Sequence, residues 1–313
     1  MSKYLVTGGA GFIGSHLIDK LQNAGHQVRV IDDLSTGSLD NLCGDVETII
    51  GDVSDESLVR ECMRDVDGCF HLAAVSNVQQ SNEDWLGTHR VNLTGFISIL
   101  DAARENSVPV VYASSAAVFG DNADMPLTEA SDVRPLTAYG ADKLGCELHA
   151  RVASVIHGVP TVGLRFFNVY GPRQNPNSPY SGVISKFMNN LIAGKGVTIF
   201  GDGEQTRDFV YVQDVVDMLW ASMDRASTTP KIYNVCTGHS VTLNSLVKTL
   251  ARVLDVDVDV HYETPRTGDI RVSIGDASRI KRELGCVARV VLHEGLRMYA
   301  GSLNVAEPVR KIA

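Results

Sequence analysis

The sequence predicts an α/β protein built on a doubly wound parallel sheet, and three observations carry this prediction. Short apolar runs alternate with helical patterns through the first half of the chain. These runs are apolar at nearly every position, as in strands that helices cover on both faces. A glycine-rich segment at residues 7–14 joins the first run to the first helix. Alternation at this spacing forms right-handed βαβ units, so we expect a Rossmann-type sheet.

The predicted elements follow in chain order. Strands are expected at 3–7, 27–31, 46–51, 68–72, 108–114 and 161–166, and helices at 12–24, 56–64, 88–105 and 138–156. Residues 168–207 are rich in Pro, Asn, Ser and Gly around one helical stretch at 182–193. A helix at 212–223 and a strand at 231–235 are expected to rejoin the sheet, and two or three helices with a short strand at 258–262 end the pattern.

This order predicts two interleaved domains with a cleft between them. The first comprises residues 1–166 and about 208–236, and carries the large sheet. The second is a smaller α/β substrate domain of residues 167–207 and 237–313.

Composition excludes several other classes of protein. The 313 residues are 44% hydrophobic and 21% charged, which is typical of a globular chain. The net charge of −9 argues against nucleic acid as a partner. No apolar run approaches the ~18 residues of a membrane span, and no signal segment is evident, so we predict a cytoplasmic protein without a membrane partner. Six scattered cysteines without a C-x-x-C pair predict reduced thiols and no metal site.

The glycine-rich segment has the spacing of a dinucleotide-binding turn. It reads G-x-G-x-x-G from Gly9 to Gly14, and the glycines allow backbone amides to approach a pyrophosphate at a helix N-terminus. Asp32 ends the second strand 18 residues after Gly14, where a carboxylate holds the adenosine ribose hydroxyls. Asp33 adds negative charge, and no arginine follows closely to receive a 2′-phosphate. The sequence therefore predicts NAD rather than NADP.

A tyrosine and a lysine form the candidate catalytic pair. Tyr139 and Lys143 are four residues apart, on one face of a predicted helix. A neighbouring ammonium stabilises the phenolate that a tyrosine base requires. Ser115 ends a strand upstream and is placed to donate a hydrogen bond to a substrate oxygen. Alone, the pair is equally typical of a surface helix, so its order after the glycine turn and the serine carries the prediction.

Together these motifs resemble the extended short-chain dehydrogenase/reductase family, and in particular its nucleotide-sugar epimerases and dehydratases. The resemblance spans about residues 3–303. Further matching segments are Asp32–Gly37, Gly51–Val53, His71–Ala74, Val91–Asn92, Leu164–Pro172, Thr206–Val210 and Arg266–Asp269.

The resemblance implies roles for individual residues. It assigns catalysis to Ser115, Tyr139 and Lys143. It assigns NAD binding to Gly8, Gly11, Phe12, Ile13, Gly14, Asp32, Asp33, Ser35, Thr36, Gly37, Asp52, Val53, Leu72, Ala73, Ala74, Asn92, Tyr139, Lys143, Phe166 and Phe167. It assigns the UDP-sugar to Ser115, Tyr139, Asn168, Val183, Thr198, Phe200, Arg207, Arg266, Asp269 and Ser273. For Phe200, a core aromatic on a short strand is the alternative interpretation.

Within the family, the residues after Ser115 favour a 4-epimerase. Sugar 4,6-dehydratases carry Asp-Glu where this chain has Ala116 and Ala117, which cannot transfer protons. Phe119 departs from the family's usual tyrosine. Ser273 stands where epimerases restricted to glucose and galactose carry a bulky tyrosine, which suggests room for an N-acetyl group.

The sequence leaves other functions open. One alternative is a nucleotide-sugar 4-ketoreductase, which Asp32 and Asp33 disfavour because such enzymes usually take NADPH. Another is a 4,6-dehydratase-like enzyme, and the last is a non-catalytic NAD-binding protein. The resemblance also implies a homodimer that pairs through the predicted helices at 88–105 and 138–156.

Overall fold

Three sheets organise the computed structural model, which describes residues 1–175, 182–265 and 270–303. The strands of these residues are β1 (Lys3–Thr7), β2 (Gln27–Asp32), β3 (Glu47–Ile50), β4 (Gly68–His71), β5 (Val110–Ser115), β6 (Thr161–Phe166), β7 (Asn168–Tyr170), β8 (Val197–Phe200), β9 (Thr206–Tyr211), β10 (Lys231–Val235), β11 (Ser240–Thr242) and β12 (Val260–Glu263).

The main sheet has seven parallel strands in the order β3-β2-β1-β4-β5-β6-β10. The chain first builds outward from β1 through β2 to β3, and then crosses to β4 on the other side of β1. This reversal opens a crevice at the carboxyl ends of β1 and β4, the place where doubly wound sheets bind ligands. The predicted fold class is confirmed, and β10 joins the sheet as expected.

Helices cover both faces of this sheet. The described helices are α1 (Phe12–Asn23), α2 (Glu56–Cys62), α3 (Val78–Glu83), α4 (Trp85–His89), α5 (Gly95–Ala103), α6 (Ala138–His157), α7 (Val183–Ile192), α8 (Val212–Met223), α9 (Leu243–Leu254), α10 (Ser278–Leu284) and α11 (Leu292–Ser302). Val6 of β1 packs into the core beneath α1 and α8. Leu5 packs into the opposite core with α2, α5 and α6. Strand side chains alternate between faces, so both layers bury apolar residues.

The helix predicted at 88–105 is confirmed as far as Ala103, because α4 continues into α5 without a break in helical backbone, but it contains a turn that was not predicted. Between α4 and α5 the backbone forms a π-helical turn at Arg90–Thr94. The side chain of Asn92 accepts from the Val75 amide at 2.8 Å and donates to the Val75 carbonyl at 3.1 Å. The Asn92 carbonyl in turn accepts from the Cys146 thiol of α6 at 3.3 Å. These long-range bonds stabilise a turn that local helical periodicity does not reveal.

The helix predicted at 182–193 within the segment 168–207 is confirmed as α7, and the segment also contains β7, β8 and the start of β9, which were not predicted. β9 pairs with β7 in parallel and with β11 in antiparallel orientation, and β8 pairs with β12. These strands have three to six residues and carry polar side chains, so they give no clear alternation. Because β9 crosses residue 208 and pairs only within the small sheet among described strands, the two-domain division stays a prediction.

Two further expectations concern the cysteines and the length of the helices. All six cysteines are free, and Cys62, Cys69, Cys146 and Cys236 are buried. No helix in the described part of the chain is long and apolar enough to cross a bilayer.

Candidate active site

A tight glycine turn joins β1 to α1 at the crevice of the main sheet. Gly8 has a φ of +67°, and a Cβ there would lie 2.7 Å from the amide nitrogen of Ala73. A Cβ on Gly14 would overlap the carbonyl oxygen of Gly8. The Gly11 amide donates to that same oxygen at 3.2 Å. Only glycines fit these contacts, and the turn leaves the N-terminus of α1, with Phe12 and Ile13, directed at the crevice.

Asp32 lies beside this turn at the end of β2. One carboxylate oxygen accepts from the Ala10 amide at 2.9 Å, and the other accepts from the Leu34 amide at 2.9 Å. Burial raises the pKa of Asp32, while these two amides act in the opposite direction. The carboxylate therefore fixes the glycine turn while it lies where the sequence predicts a ribose contact.

The loop after β2 folds back over the glycine turn. Asp33 accepts from the amide and the hydroxyl of Ser35, at 2.9 and 2.6 Å. Gly37 approaches Ala10 so closely that a Cβ would lie 2.9 Å from the Ala10 carbonyl carbon. Asp33, Ser35 and Thr36 are exposed along the rim. This loop can border the ribose end of a dinucleotide.

The loops after β3 and β4 form the other walls. Val53 is buried in the core beneath the sheet, and Asp52 accepts from the Ser54 amide at 2.8 Å. The Thr7 hydroxyl accepts from the amides of Leu72 and Ala73, at 3.2 and 3.1 Å. Ala74 follows, half-buried, just before the Val75 backbone that Asn92 holds.

His71 also supports this wall, although the sequence alone indicates no separate role for it. Its Nδ1 lies 2.9 Å from the Thr7 hydroxyl, which already accepts two amides and therefore donates to the ring. Burial lowers the pKa of His71 to about 3, so the imidazole is neutral. Its position in the segment His71–Ala74, which matches the family, was the one feature of the sequence that indicated a role.

Ser115 ends β5 beside the cofactor crevice. In the sheet register it is paired with Phe166, and both Phe166 and Phe167 are buried. The Ser115 hydroxyl accepts from the Ala117 amide at 3.1 Å, opening a 3₁₀ turn at Ala116–Phe119. A Cβ on Gly140 would lie 2.7 Å from the Ala117 carbonyl oxygen, so this glycine allows α6 to approach the turn.

Tyr139 and Lys143 lie one turn apart near the start of α6. The Lys143 ammonium is 5.8 Å from the centre of the Tyr139 ring and donates to the Ala113 carbonyl of β5 at 2.9 Å. Lys143 is only 2% exposed, so little water screens the electrostatic interaction between its ammonium and Tyr139. Tyr139 also lies in the first turn of α6, at the positive end of the helix dipole.

The N-terminus of α6 is held by side chains that sequence reasoning missed. The Ser81 hydroxyl accepts from the Tyr139 amide at 3.2 Å, and Asn82 accepts from the Ala138 amide at 3.4 Å. Thr137 accepts from the Gly140 amide at 3.0 Å. Ser81 and Asn82 lie on α3, a helix of six residues that is too short to show periodicity. Only the Thr137 cap, just before a helical pattern, was recognisable from sequence.

Residues predicted to bind the substrate gather around β8 and β9. The Arg207 guanidinium donates to the carbonyls of Thr206 and Ile270, at 2.9 and 2.7 Å. The Ser273 amide donates to the Thr206 carbonyl at 3.2 Å, and Asn168 donates to the Asp208 carbonyl at 3.1 Å. Thr198 precedes Phe200 by two residues and shares its face of β8. Val183 begins α7.

Phe200 borders a cavity of about 440 Å³ beyond these residues. Its other lining residues are Gly201, Asp202, Gln205, Tyr262, Glu263, Pro265, Ile270 and Arg271. Aromatic and polar groups around a cavity of this size are typical of a ligand site. Phe200 is thus half-exposed at a cavity rather than a core aromatic. Arg266 and Asp269 lie outside the described residues.

Phe119 occupies a buried position behind the crevice. It is 1% exposed, and the Arg165 guanidinium carbon lies 4.7 Å from its ring centre. Phe167 lies on another side, with ring centres 6.4 Å apart. The phenylalanine therefore completes a small core that includes Val118 and Leu127.

Taken together, the sheet order and the glycine turn define a dinucleotide-binding protein, and Ser115, Tyr139 and Lys143 lie at the carboxyl end of its β5 and at the start of α6. The cradle that a Cβ would fill at Gly8 and Gly14, with Asp32 beside it, fits an NAD cofactor. The model of the NAD dependent epimerase/dehydratase family matches residues 4–236, and the chain belongs to this NAD-dependent family.

Similar proteins agree with this assignment over nearly the whole chain. A putative UDP-glucose 4-epimerase from Methanocaldococcus jannaschii is 34% identical over 296 residues, which cover 94% of this chain and 95% of the relative. A UDP-glucose 4-epimerase from Thermotoga maritima, solved with UDP-glucose, has a TM-score of 0.93 and 34% identity over 96% of this chain and 98% of that one. A UDP-N-acetylglucosamine 4-epimerase from Methanobrevibacter ruminantium, solved with UDP-N-acetylmuramic acid, has a TM-score of 0.92 and 35% identity over the same shares.

Proposed function

We propose that this protein is an NAD-dependent UDP-sugar 4-epimerase. The single observation that carries the proposal is which side chains lie at the carboxyl end of β5 and at the start of α6; we call this region the catalytic edge. Ser115, Tyr139 and Lys143 lie at the carboxyl end of the sheet beside the glycine turn, whereas Ala116 and Ala117 offer no acid or base for eliminating water. The 4-epimerases among the similar proteins support the same reaction class.

The proposed roles follow from the chemistry of each side chain. Tyr139, as phenolate, removes the proton of the sugar C4 hydroxyl and later returns a proton to the C4 oxygen. Ser115 donates a hydrogen bond to that oxygen, and Lys143 stabilises the phenolate. Bound NAD⁺ supplies reversible hydride transfer at C4, which makes the overall reaction redox-neutral. Since the 4-keto sugar must present both faces in turn, inversion requires a pocket in which it can rotate.

The remaining predicted contacts are proposed to hold the nucleotide. Phe200 would pack against the base at the cavity, and Arg207 with Arg266 would bind the diphosphate because a guanidinium matches phosphate oxygens. Asn168 and Asp269 would bind the diphosphate and the ribose, with Val183 and Thr198 alongside. Asp32, with the rim residues after β2, would hold the adenosine half of NAD.

The experiment that tests the function uses purified protein without added cofactor. It is incubated with UDP-GlcNAc and separately with UDP-Glc, and the C4 epimers are resolved by NMR. We expect UDP-GalNAc or UDP-Gal to form, and NAD to be released when the protein is denatured. If neither epimer forms while bound NAD is present, the proposed function is wrong. A requirement for stoichiometric NADPH would instead identify a ketoreductase.

Ser273 is proposed to set the choice of sugar. It is nearly buried and lies in the segment bonded to Thr206, next to the Arg207 backbone. The Ser273→Tyr variant should lose kcat/KM for UDP-GlcNAc about tenfold or more relative to UDP-Glc, because the ring would fill space for the acetamido group.

The matched control for this change is Ser57→Tyr, which adds the same ring at an exposed position of α2. It should leave both activities unchanged. An equal loss for both sugars in Ser273→Tyr would contradict the role in selectivity.

We also propose a homodimer that pairs through α6. Its outer face exposes Leu148, Val152, Val155 and Ile156 at intervals of four, three and one residues, which form one apolar stripe. Ile97 extends the apolar surface on α5, the neighbouring helix. A second copy related by a twofold axis would bury the same stripe on both subunits.

The Val152→Asp variant is therefore expected to sediment as a monomer in analytical ultracentrifugation, because each interface would bury two unpaired carboxylates. Val291→Asp, at an exposed valine before α11, is the control and should sediment like the wild type. A monomeric wild type would contradict the proposed dimer.

A further inference from the structure

A buried ion pair lies directly behind the catalytic edge. Glu147 of α6 and Arg165 of β6 form a bidentate contact, with the guanidinium Nε 2.9 Å from Oε1 and Nη2 2.8 Å from Oε2. Their side chains are 4% and 5% exposed. Desolvating two charges is costly, and apolar residues often serve stability as well. The pair therefore calls for an explanation other than stability alone.

The pair extends into a network that reaches the strand of Ser115. The Ser114 hydroxyl donates to Glu147 Oε1 at 2.5 Å, and Ser114 is paired with Arg165 in the sheet register. Arg165 also donates to the Glu129 carbonyl at 3.4 Å and stacks over Phe119. We call Ser114, Glu147 and Arg165 the buried network.

Two ionisable side chains beside the pair, Tyr112 and Cys146, do not compete for these charges. Burial raises the pKa of Tyr112 well above its ordinary value and raises that of Cys146 to about 11, so both are neutral. Glu147 and Arg165 therefore form an ion pair with each other.

The network is aligned with the catalytic groups along α6. Tyr139, Lys143 and Glu147 are spaced by four residues, so all three lie on one face of the helix, which is turned toward the sheet. Lys143 donates to the carbonyl of Ala113, and Glu147 accepts from the hydroxyl of Ser114, the next residue of β5. Two successive turns of α6 are thereby joined to two successive residues of one strand.

We propose that the buried network is a positioning device which sets the rotation of α6, and with it the placement of Tyr139 and Lys143 relative to Ser115; this inference rests on the proposed epimerase function. An apolar contact permits a helix to slide or rotate by small amounts. The bidentate pair is directional, since both its oxygens and its guanidinium fork must align. Small errors in the placement of catalytic groups have large effects on rate.

Two serine-to-alanine variants test the proposal, and each removes one buried hydroxyl hydrogen bond of α6. Ser114→Ala removes one buried hydroxyl bond between α6 and β5. Ser154→Ala removes another, since its hydroxyl lies 2.7 Å from that of Thr161 and joins α6 to β6 about three turns beyond Lys143. Both positions are buried, and the Ser114 hydroxyl bonds to Glu147 whereas the Ser154 hydroxyl bonds to Thr161.

We expect Ser114→Ala to lower kcat about threefold to tenfold with KM nearly unchanged, and to move the acid limb of the pH–rate profile to higher pH. Ser154→Ala should keep the wild-type kcat and profile. Equal kcat and identical profiles in the two variants would overturn the proposal, as would a loss confined to thermal stability.

A double variant distinguishes an effect on the placement of the catalytic groups from an effect on folding. Glu147→Met with Arg165→Met removes both charges and leaves no unpaired one, so the chain is expected to fold. Its kcat should fall about tenfold to a hundredfold, with the same displacement of the acid limb as in Ser114→Ala. A folded double variant with wild-type kcat would overturn the proposal.

A second readout does not depend on the sugar. The absorbance change at 295 nm on raising the pH is measured with and without Tyr139→Phe, and the difference reports the ionisation of Tyr139. We expect Ser114→Ala to shift this titration to higher pH, and Ser154→Ala to leave it unchanged. If wild-type protein epimerises no UDP-sugar, the proposed function fails, yet this titration still supports or overturns the positioning role.

Discussion

Replacing Tyr139 with phenylalanine should lower kcat for epimerisation by about 10²–10⁴-fold, the range typical of losing a general base. The substitution removes the hydroxyl proposed to exchange the C4 proton, while the ring remains to pack at the start of α6. Lys143 keeps its bond to the Ala113 carbonyl, so the helix should not move. KM should change little, because the missing oxygen acts mainly in the transition state. Initial rates on the preferred UDP-sugar measure the effect.

The control for this loss is Tyr4→Phe. Tyr4 lies near the amino end of β1, whereas Ser115 lies at the carboxyl end of the parallel strand β5. It tests whether removing any phenolic oxygen affects the protein, and it should leave kcat unchanged. Retention of more than about a tenth of wild-type kcat in Tyr139→Phe would contradict its role as the base.

Gly14→Ala should weaken NAD binding by about tenfold to a hundredfold, which corresponds to about 1–3 kcal/mol of overpacking. The new Cβ would overlap the Gly8 carbonyl and lie 2.8 Å from the Gly9 Cα. Both neighbours are backbone, so the turn itself must shift, and its amides would leave the positions that face a pyrophosphate. Titration of cofactor-free protein with NAD measures the affinity.

A matched glycine tests whether the crowding is responsible. Gly301 lies in α11, and a Cβ there would meet nothing within 4 Å. Gly301→Ala should bind NAD like the wild type, and it should be slightly more stable because alanine favours a helix. Wild-type affinity in Gly14→Ala would show that the turn tolerates a side chain, which would contradict the fit.

The main sheet was predictable because its signals are local. Buried parallel strands are continuous apolar runs, so the bounds of β1 and β6 and of helix α8 agree with the prediction at both ends. The turn at Arg90–Thr94 was not predictable, since it depends on bonds from Asn92 to Val75 and from Cys146 on another helix. Periodicity reports which face of a helix is apolar, and it says nothing about a carbonyl that finds a distant partner.

The site divides in the same way. Gly8, Gly14 and Asp32 were recognisable because their spacing is set by one strand–turn–helix unit. Ser81 and Glu147 were not, because their roles depend on which residues of other elements they meet. Ser81 holds the amide of Tyr139 across 58 residues of sequence, and Glu147 reaches Arg165 across 18. Such partners become visible only when the tertiary structure places them together.

The helix that carries Tyr139 and Lys143 also carries the exposed apolar stripe, but at its other end. Tyr139 and Lys143 precede Leu148 on α6, whereas the exposed Val152, Val155 and Ile156 follow it. If both proposals hold, one continuous helix carries its reacting groups and its dimer contacts in separate segments. Substitutions in the second segment would then change the partner while each proposed reacting group keeps its wild-type neighbours.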